Sequence, residues 1–393
     1  MYLPSGLIVG LLFAGAKGVL GGSRLWEAKA PNKQTNASPY YPALETLNTT
    51  SVLVRRAFSI KSNPDDNRAN RLWPNKKIRY CFEQRPANVA IRGLWQSAMD
   101  IWAELKDHGF SYEEVSDGEC ISQVSSVLRI HYNQVGRLSA TLGIPPINEA
   151  ANTADPNNAV FGPFVHLSDM LGVGQDDVNA NVAHELGHVW GLLHEHQNMK
   201  YWSKGIEDNG WSIPKQSEDI VRFRAGDFNC QNLKDYNTIV DQVQPKIDKA
   251  RADGESKKAE ALESDLSRRC VSQPAALAIG FSAAEWIPYP NFVNVEWDNT
   301  FDEDSLMLYP SGSGGTGLSD NRAVIMTYKN GDHIPNRLTP SSMDIARLIA
   351  LYGTPTSSTL GVTHNSKSSV FRNKLRSVRS KIFRAGDTSV GLC

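Results

Sequence analysis

One run of residues constrains this chain more than any other: His184-Glu185-Leu186-Gly187-His188-Val189-Trp190-Gly191-Leu192-Leu193-His194-Glu195-His196. It contains the pattern H-E-x-x-H-x-x-G-x-x-H. His184 and His188 stand four apart, so a helix puts them on one face, a turn from each other. Two imidazoles placed in that way can grip one metal ion. Glu185, beside the first of them, is placed to act on a water rather than on the metal. Gly191 can take the left-handed conformation that ends a helix, and the chain then turns back to deliver His194 as a third ligand. Three protein ligands leave one coordination position open, as a catalytic rather than a structural zinc site requires. Five fixed positions, at roughly one in twenty each, make a chance match in a chain of this length about one in ten thousand. His196 lies outside the pattern and reads as a solvated residue or one behind the ligands.

Two further segments belong with this run. Ser305-Leu306-Met307-Leu308-Tyr309 is one, and Leu72-Trp73-Pro74-Asn75 followed by Ile78-Arg79-Tyr80 is the other. Together with Glu195 after the third histidine, they resemble the astacin family of zinc endopeptidases, within the metzincins. The likeness is strong at these motifs and loose elsewhere between Trp73 and Gly353. The chain departs from the family pattern at Leu192, where astacins have Phe, and at Leu308, where they have His. Gln197-Asn198-Met199-Lys200 stands in place of an Arg-x-Asp-Arg-Asp run. These departures leave the catalytic chemistry untouched and bear on substrate preference and on anchoring of the N-terminus.

The resemblance implies an α+β, metzincin-type zinc protease domain. A mixed, twisted sheet with a backing helix and an active-site helix precedes a smaller, mostly irregular or helical C-terminal subdomain. It implies one Zn2+ per chain on His184, His188 and His194, with Glu185 as general base. Met307 lies under the metal, and Tyr309 swings from it to the oxyanion. The family's mature N-terminus is buried against the glutamate that Glu195 matches. Astacin propieces commonly carry an aspartate that silences the zinc; no such motif is found here, Asp65 and Asp66 being the nearest candidates.

Composition sets the frame. At 40% hydrophobic and 21% charged, the 393 residues suit a globular protein with a sizeable core. A net charge of −1 argues against a nucleic-acid partner. Gly6 to Ala16 is a short apolar run ending in an A-x-A pattern, read as a signal peptide over 1–16. Lys17 cuts it short of the roughly 20 residues that span a bilayer, so secretion without stable membrane insertion is expected. Five cysteines suit an oxidising compartment. The pairs expected are Cys81–Cys120 and Cys230–Cys270, neighbours in sequence, with Cys393 left over.

Residues 17–68 read as a propiece, with glycosylation sequons at Asn36 and Asn48 and a dibasic pair, Arg55-Arg56. Cuts after Arg56, Lys61 and Arg68 are all open. The catalytic domain is expected over 69–353. Ile78 to Phe82 predicts a first strand, and Asn88 to Lys106 a backing helix with apolar residues at spacings of three and four. Val127 to Tyr132 predicts a central strand in which His131 is a satisfied strand residue. Val160 to Leu167 predicts another strand, which Pro163 places at the sheet edge. There Phe164 and Val165 would bind an extended peptide. Asp176 and Asp177 predict the cap of the histidine helix.

A helical insertion over about 215–290 separates the motif from Met307. Pro245 is expected to break or kink its first helix, and a Cys230–Cys270 bridge would staple the base of the hairpin. It reads as a surface insertion or as a lip over the cleft. Ser341-Ser342 predict the cap of a closing helix, Met343 to Tyr352. Residues 354–393 form a basic tail, solvated or directed at a membrane surface or acidic partner. The reading is thus a secreted, monomeric zinc metalloendopeptidase with polypeptide substrates. The alternative is a catalytically inactive zinc-bearing protein that binds peptides.

Overall fold

The computed structural model describes residues 58–61, 71–83, 88–145, 162–203, 207–208, 211–212, 217–288, 295–296 and 300–353. The signal peptide, Asn36, Asn48, Arg55-Arg56, Asp65, Asp66, Cys393 and the basic tail lie outside them. Strand β1 (Ser59–Ile60) is followed by the five strands of the central sheet: β2 (Lys77–Phe82), β3 (Ser111–Glu114), β4 (Leu128–Tyr132), β5 (Ser139–Ala140) and β6 (Phe164–Leu167). The order is β3-β2-β4-β6-β5, with β5 antiparallel to β6 and every other pair parallel. The α+β expectation therefore holds, with a mixed sheet. Ile78 and Tyr80, Leu128 and Ile130, Val165 and Leu167 alternate into the core along their strands. His131 is paired, its Nδ1 lying 2.8 Å from Glu83 Oε2.

Two helices, α1 (Asn88–Ile101) and α3 (Val178–Trp190), pack against each other, with the short α2 (Asp117–Ser122) between them in sequence. The apolar spacing of α1 buries Ile91, Trp95, Ala98 and Met99, and Trp102 follows just beyond its end. Two buried indoles steady α3: Trp102 Nε1 donates to the Ala183 carbonyl at 2.9 Å and Trp73 Nε1 to that of Val189 at 2.7 Å. Cys81 and Cys120 are bonded, with Cα atoms 6.0 Å apart, among buried Val115 and Val127.

The expected edge strand is a correction. β6 lies inside the sheet, between β4 and β5. Pro163 sits one residue before the strand, so its missing N–H costs the ladder nothing, and its carbonyl accepts from Arg129 N at 3.1 Å. Phe164 N–H donates to Thr141 Oγ1 at 3.2 Å and Val165 pairs with Ala140, so both residues are occupied by β5 and the residue that follows it. The edge beside α3 is Ser139–Ala140.

Part of the stretch expected as a propiece over 17–68 lies within the described fold. Phe58 to Ile60 are built into the domain: Leu193 N donates to Phe58 O at 3.0 Å and Ile60 N to Gly191 O at 2.9 Å. With β7 (Glu207–Asp208) and β8 (Trp211–Ser212) forming a separate pair, β9 (Val295–Glu296) is the antiparallel partner of β1. Buried Arg347 ties the strip down, its Nε donating to Ser59 Oγ at 2.6 Å and its Nη2 to Glu296 Oε2 at 2.5 Å.

In the insertion, α4 (Tyr236–Ala252), α5 (Ser256–Ser267) and α6 (Gln273–Ile279) pack in succession, and Cys230 is bonded to Cys270. Pro245 does not end α4. It lies on the exposed face, opposite buried Val243 and Ile247, where the carbonyl it leaves unmatched is open to water. The closing helix α7 (Ser342–Gly353) is capped by Ser341, whose Oγ accepts from Asp344 N at 2.9 Å.

Gly187 sits inside α3 for a packing reason. A Cβ there would meet Met307 Sδ at 2.5 Å and Trp102 Cζ2 at 3.2 Å. Alanine improves helix propensity by about 1 kcal/mol, but over-packing a buried contact costs about 1–3 kcal/mol. Gly187→Ala should therefore lower stability to chemical denaturation. A variant at least as stable as the parent would contradict the packing described.

Candidate metal centre

Asp177 caps α3, its Oδ1 accepting from Ala180 N at 2.8 Å, while Asp176 occupies a left-handed turn at φ 58°. The helix ends at Gly191, whose φ of 110° few other residues tolerate, and Gly191 N–H closes on the carbonyls of Gly187 and His188. The reversal carries His194 back beneath the helix. The Nε2 atoms of His188 and His184 are 3.1 Å apart, and those of His188 and His194 2.9 Å.

Each ring has its other nitrogen engaged. His184 Nδ1 donates to Leu306 O at 2.8 Å, His188 Nδ1 to Leu192 O at 2.7 Å, and His194 Nδ1 to Gln197 Oε1 at 2.9 Å. Those acceptors fix the tautomer, so every Nε2 turns a lone pair toward the same point. Burial holds all three rings neutral: it drives His184 and His194 well below the ordinary histidine range and His188 down to about 3. Tetrahedral zinc with Zn–N of about 2.0–2.1 Å sets its nitrogens about 3.3 Å apart, close to the spacing here. These histidines are the metal-holding group found among the described residues. The donor set suits zinc.

The Ser305–Tyr309 turn lies against both ligand segments. Its Leu306 carbonyl takes His184, and its Met307 carbonyl accepts from Glu195 N at 3.2 Å. Met307 is fully buried under Gly187. Tyr309 is buried with its ring 4.2 Å from that of His194 and 5.6 Å from that of His184. Glu185 is buried on the helix turn between the first two ligands. Glu195 is buried too, its carboxylate accepting from Phe58 N at 3.1 Å and from Asp302 N at 3.2 Å. Burial, then the charge of Asp302, pushes it well above the carboxylate range.

Several residues here carry no motif signal. Gln175 is buried, donating through Nε2 to Leu308 O at 3.1 Å, and so pins the turn from the other side. His196, read from sequence as solvated or behind the ligands, is wholly buried, so the second reading stands. Its ring stacks on that of His194 at 5.2 Å and its Nε2 donates to Glu285 O at 2.8 Å. Trp286 packs edge-on to Tyr309 at 5.1 Å. Glu285 and Trp286 come from the insertion, which is therefore not only a surface feature. Their partners are far away in sequence, so no local pattern announces them.

No family model matches this chain, and no curated protein does. Among solved structures it is similar to myroilysin at 12% identity, covering 72% of this chain and 96% of that one with a TM-score of 0.33. It is also similar to high choriolytic enzyme 1, a hatching-enzyme zinc protease of the medaka fish Oryzias latipes. There the identity is 14%, the coverage 75% of this chain and 98% of that one, and the TM-score 0.37. Likenesses this distant add nothing to what the side chains show.

Beneath the turn, Asp344 accepts from Ser305 Oγ at 2.7 Å, Leu306 N at 2.9 Å and Ser341 N at 3.0 Å. Burial, reinforced by Asp302, still raises its carboxyl from 3.8 to about 7. An acid raised on folding contributes stability that is complete below its unfolded value and lost as pH rises through its folded one. The stability advantage of the parent over Asp344→Asn should thus shrink by about 1 kcal/mol or more between pH 4 and pH 7. Paired denaturation curves test this, and a gap that is constant with pH would contradict it.

Proposed function

We propose that the chain is a secreted zinc-dependent endopeptidase that hydrolyses polypeptides. The observation that carries this reading is the convergence of three neutral, tautomer-locked imidazoles beside a buried glutamate carried by the helix of the first two. A zinc ion held by such a set supplies Lewis acidity, polarising a carbonyl and acidifying a water. Glu185 takes the proton of the attacking water and passes it to the leaving amine. The Tyr309 hydroxyl donates to the oxyanion of the tetrahedral intermediate. The substrate lies extended along the Ser139–Ala140 edge, in place of the Phe164–Val165 position expected from sequence, and adds to the sheet through its backbone. The two disulfides suit an oxidising compartment, and no helix among the described residues is long and apolar enough to cross a membrane.

Activation follows from the N-terminal strip. Cuts after Lys61 or Arg68 would detach Phe58–Ile60, which the fold uses; a cut after Arg56 keeps it and leaves the new terminus one residue ahead of Phe58. Glu195 lies with Asp302 and Asp344 in a buried acidic group, and a buried carboxylate is costly without a positive partner. A freed α-amino group supplies one.

Cleavage of a peptide library should be abolished by a chelator and restored by zinc. Glu185→Gln should keep its metal and lose about 10²-fold or more in turnover; no cleavage by the metal-replete parent would favour the peptide-binding alternative, and cleavage indifferent to the chelator would overturn the role of the metal. Tyr309→Phe should lower kcat more than it changes KM, and an effect on KM alone would remove the hydroxyl from the mechanism. N-terminal sequencing of active enzyme should begin at Ala57, and Glu195→Gln should impair it. Full activity in a chain that begins at Ser62 or Ala69 would overturn the assignment of Arg56.

A further inference from the structure

His184 and His188 are placed by α3, and a backbone carbonyl receives each Nδ1–H. His194 lies beyond the helix, and its Nδ1–H acceptor is a side chain, Gln197 Oε1 at 2.9 Å. A side-chain amide orients a ring only if something orients the amide. Here Gln197 Nε2 donates to Ala284 O at 2.9 Å and to Ile287 O at 3.1 Å. Both of its N–H groups therefore face carbonyls, which forces the oxygen toward His194. Gln197 is itself buried.

Those carbonyls belong to a turn, Ser282–Glu285 and the residues after it, at the end of the insertion. The start of the turn is held by Asp235, which accepts from Ser282 N at 2.9 Å and from Ser282 Oγ at 2.5 Å. Asp235 stands at the head of α4, and the Cys230–Cys270 bond closes the α4–α5 hairpin at its base. The same turn receives His196 through the Glu285 carbonyl.

We infer that Gln197 is a positioning residue for the third metal ligand and that the helical insertion is the brace that sets it. The inference rests on the three-histidine site being a metal site. Outer hydrogen-bond partners of metal-ligating histidines typically govern about 10–100-fold in metal affinity. The brace accounts for the insertion by its effect on the metal, with no contact to substrate required.

Three proteins test this: the parent, Gln197→Met and Gln197→Glu. Met conserves volume and removes the acceptor and both donors. Glu keeps the acceptor for His194 and removes the donors. Zinc affinity is read by competition with a chromophoric chelator, and folding by circular dichroism. Gln197→Met should bind zinc about 10–100-fold more weakly than the parent. Gln197→Glu should bind more tightly than Gln197→Met while losing hydrogen-exchange protection over 282–287. Equal affinity in all three, or Gln197→Glu falling as far as Gln197→Met, would overturn positioning in favour of plain packing. Should a variant fail to fold, the cobalt-loaded parent decides: three paramagnetically shifted, slowly exchanging ring N–H protons support the brace, and only two refute it. A parent that takes up neither zinc nor cobalt would instead sink the metal site itself.

Discussion

Three imidazole lone pairs cannot be buried face to face without cost, and the structure accepts that cost by holding every ring in place through its opposite nitrogen. Leu306 O, Leu192 O and Gln197 Oε1 each receive one Nδ1–H. Removing an acceptor would free a ring to flip or protonate, and the convergence of Nε2 atoms would go. Much of the architecture can be traced to the supply of those acceptors. The Ser305–Tyr309 turn provides the first, the Gly191 reversal the second, and the insertion, through Gln197, sets the third.

The same economy explains neighbouring features. Gly187 is a poor helix residue kept because Met307 and Trp102 fill the space a side chain would take. Asp344 holds the turn from below and Gln175 from above, so the carbonyl that faces His184 has little freedom. The Phe58–Ile60 strip lies on the Gly191–Leu193 reversal, and so meets the third-ligand loop. Glu195 is the junction, accepting from Phe58 on one side and Asp302 on the other.

What could be read in sequence was what is local. His184, His188, Gly191 and His194 sit at fixed spacings dictated by one helix and its exit, and the structure brings them together. Helix α1 is legible from its periodicity, and the two disulfides from the pairing of successive cysteines. The place of β6 in the sheet is not legible, because Pro163 falls one residue before the strand and takes no donor from its ladder, and the pairing with β5 is a contact that no local pattern announces. Pro245 stays within α4 because a proline on a solvated helix face leaves no buried group unsatisfied. The roles of Gln197 and Glu285 depend on contacts across some ninety residues of chain, and no spacing rule reaches that far.

The arrangement of these side chains serves a metal and its three ligands. X-ray absorption at the zinc edge of the loaded protein reads them directly. Three imidazole nitrogens at about 2.0–2.1 Å, with at most one or two further light atoms, are the expected result. A sulfur bound to the zinc, or fewer than three imidazoles, would contradict the three-histidine site.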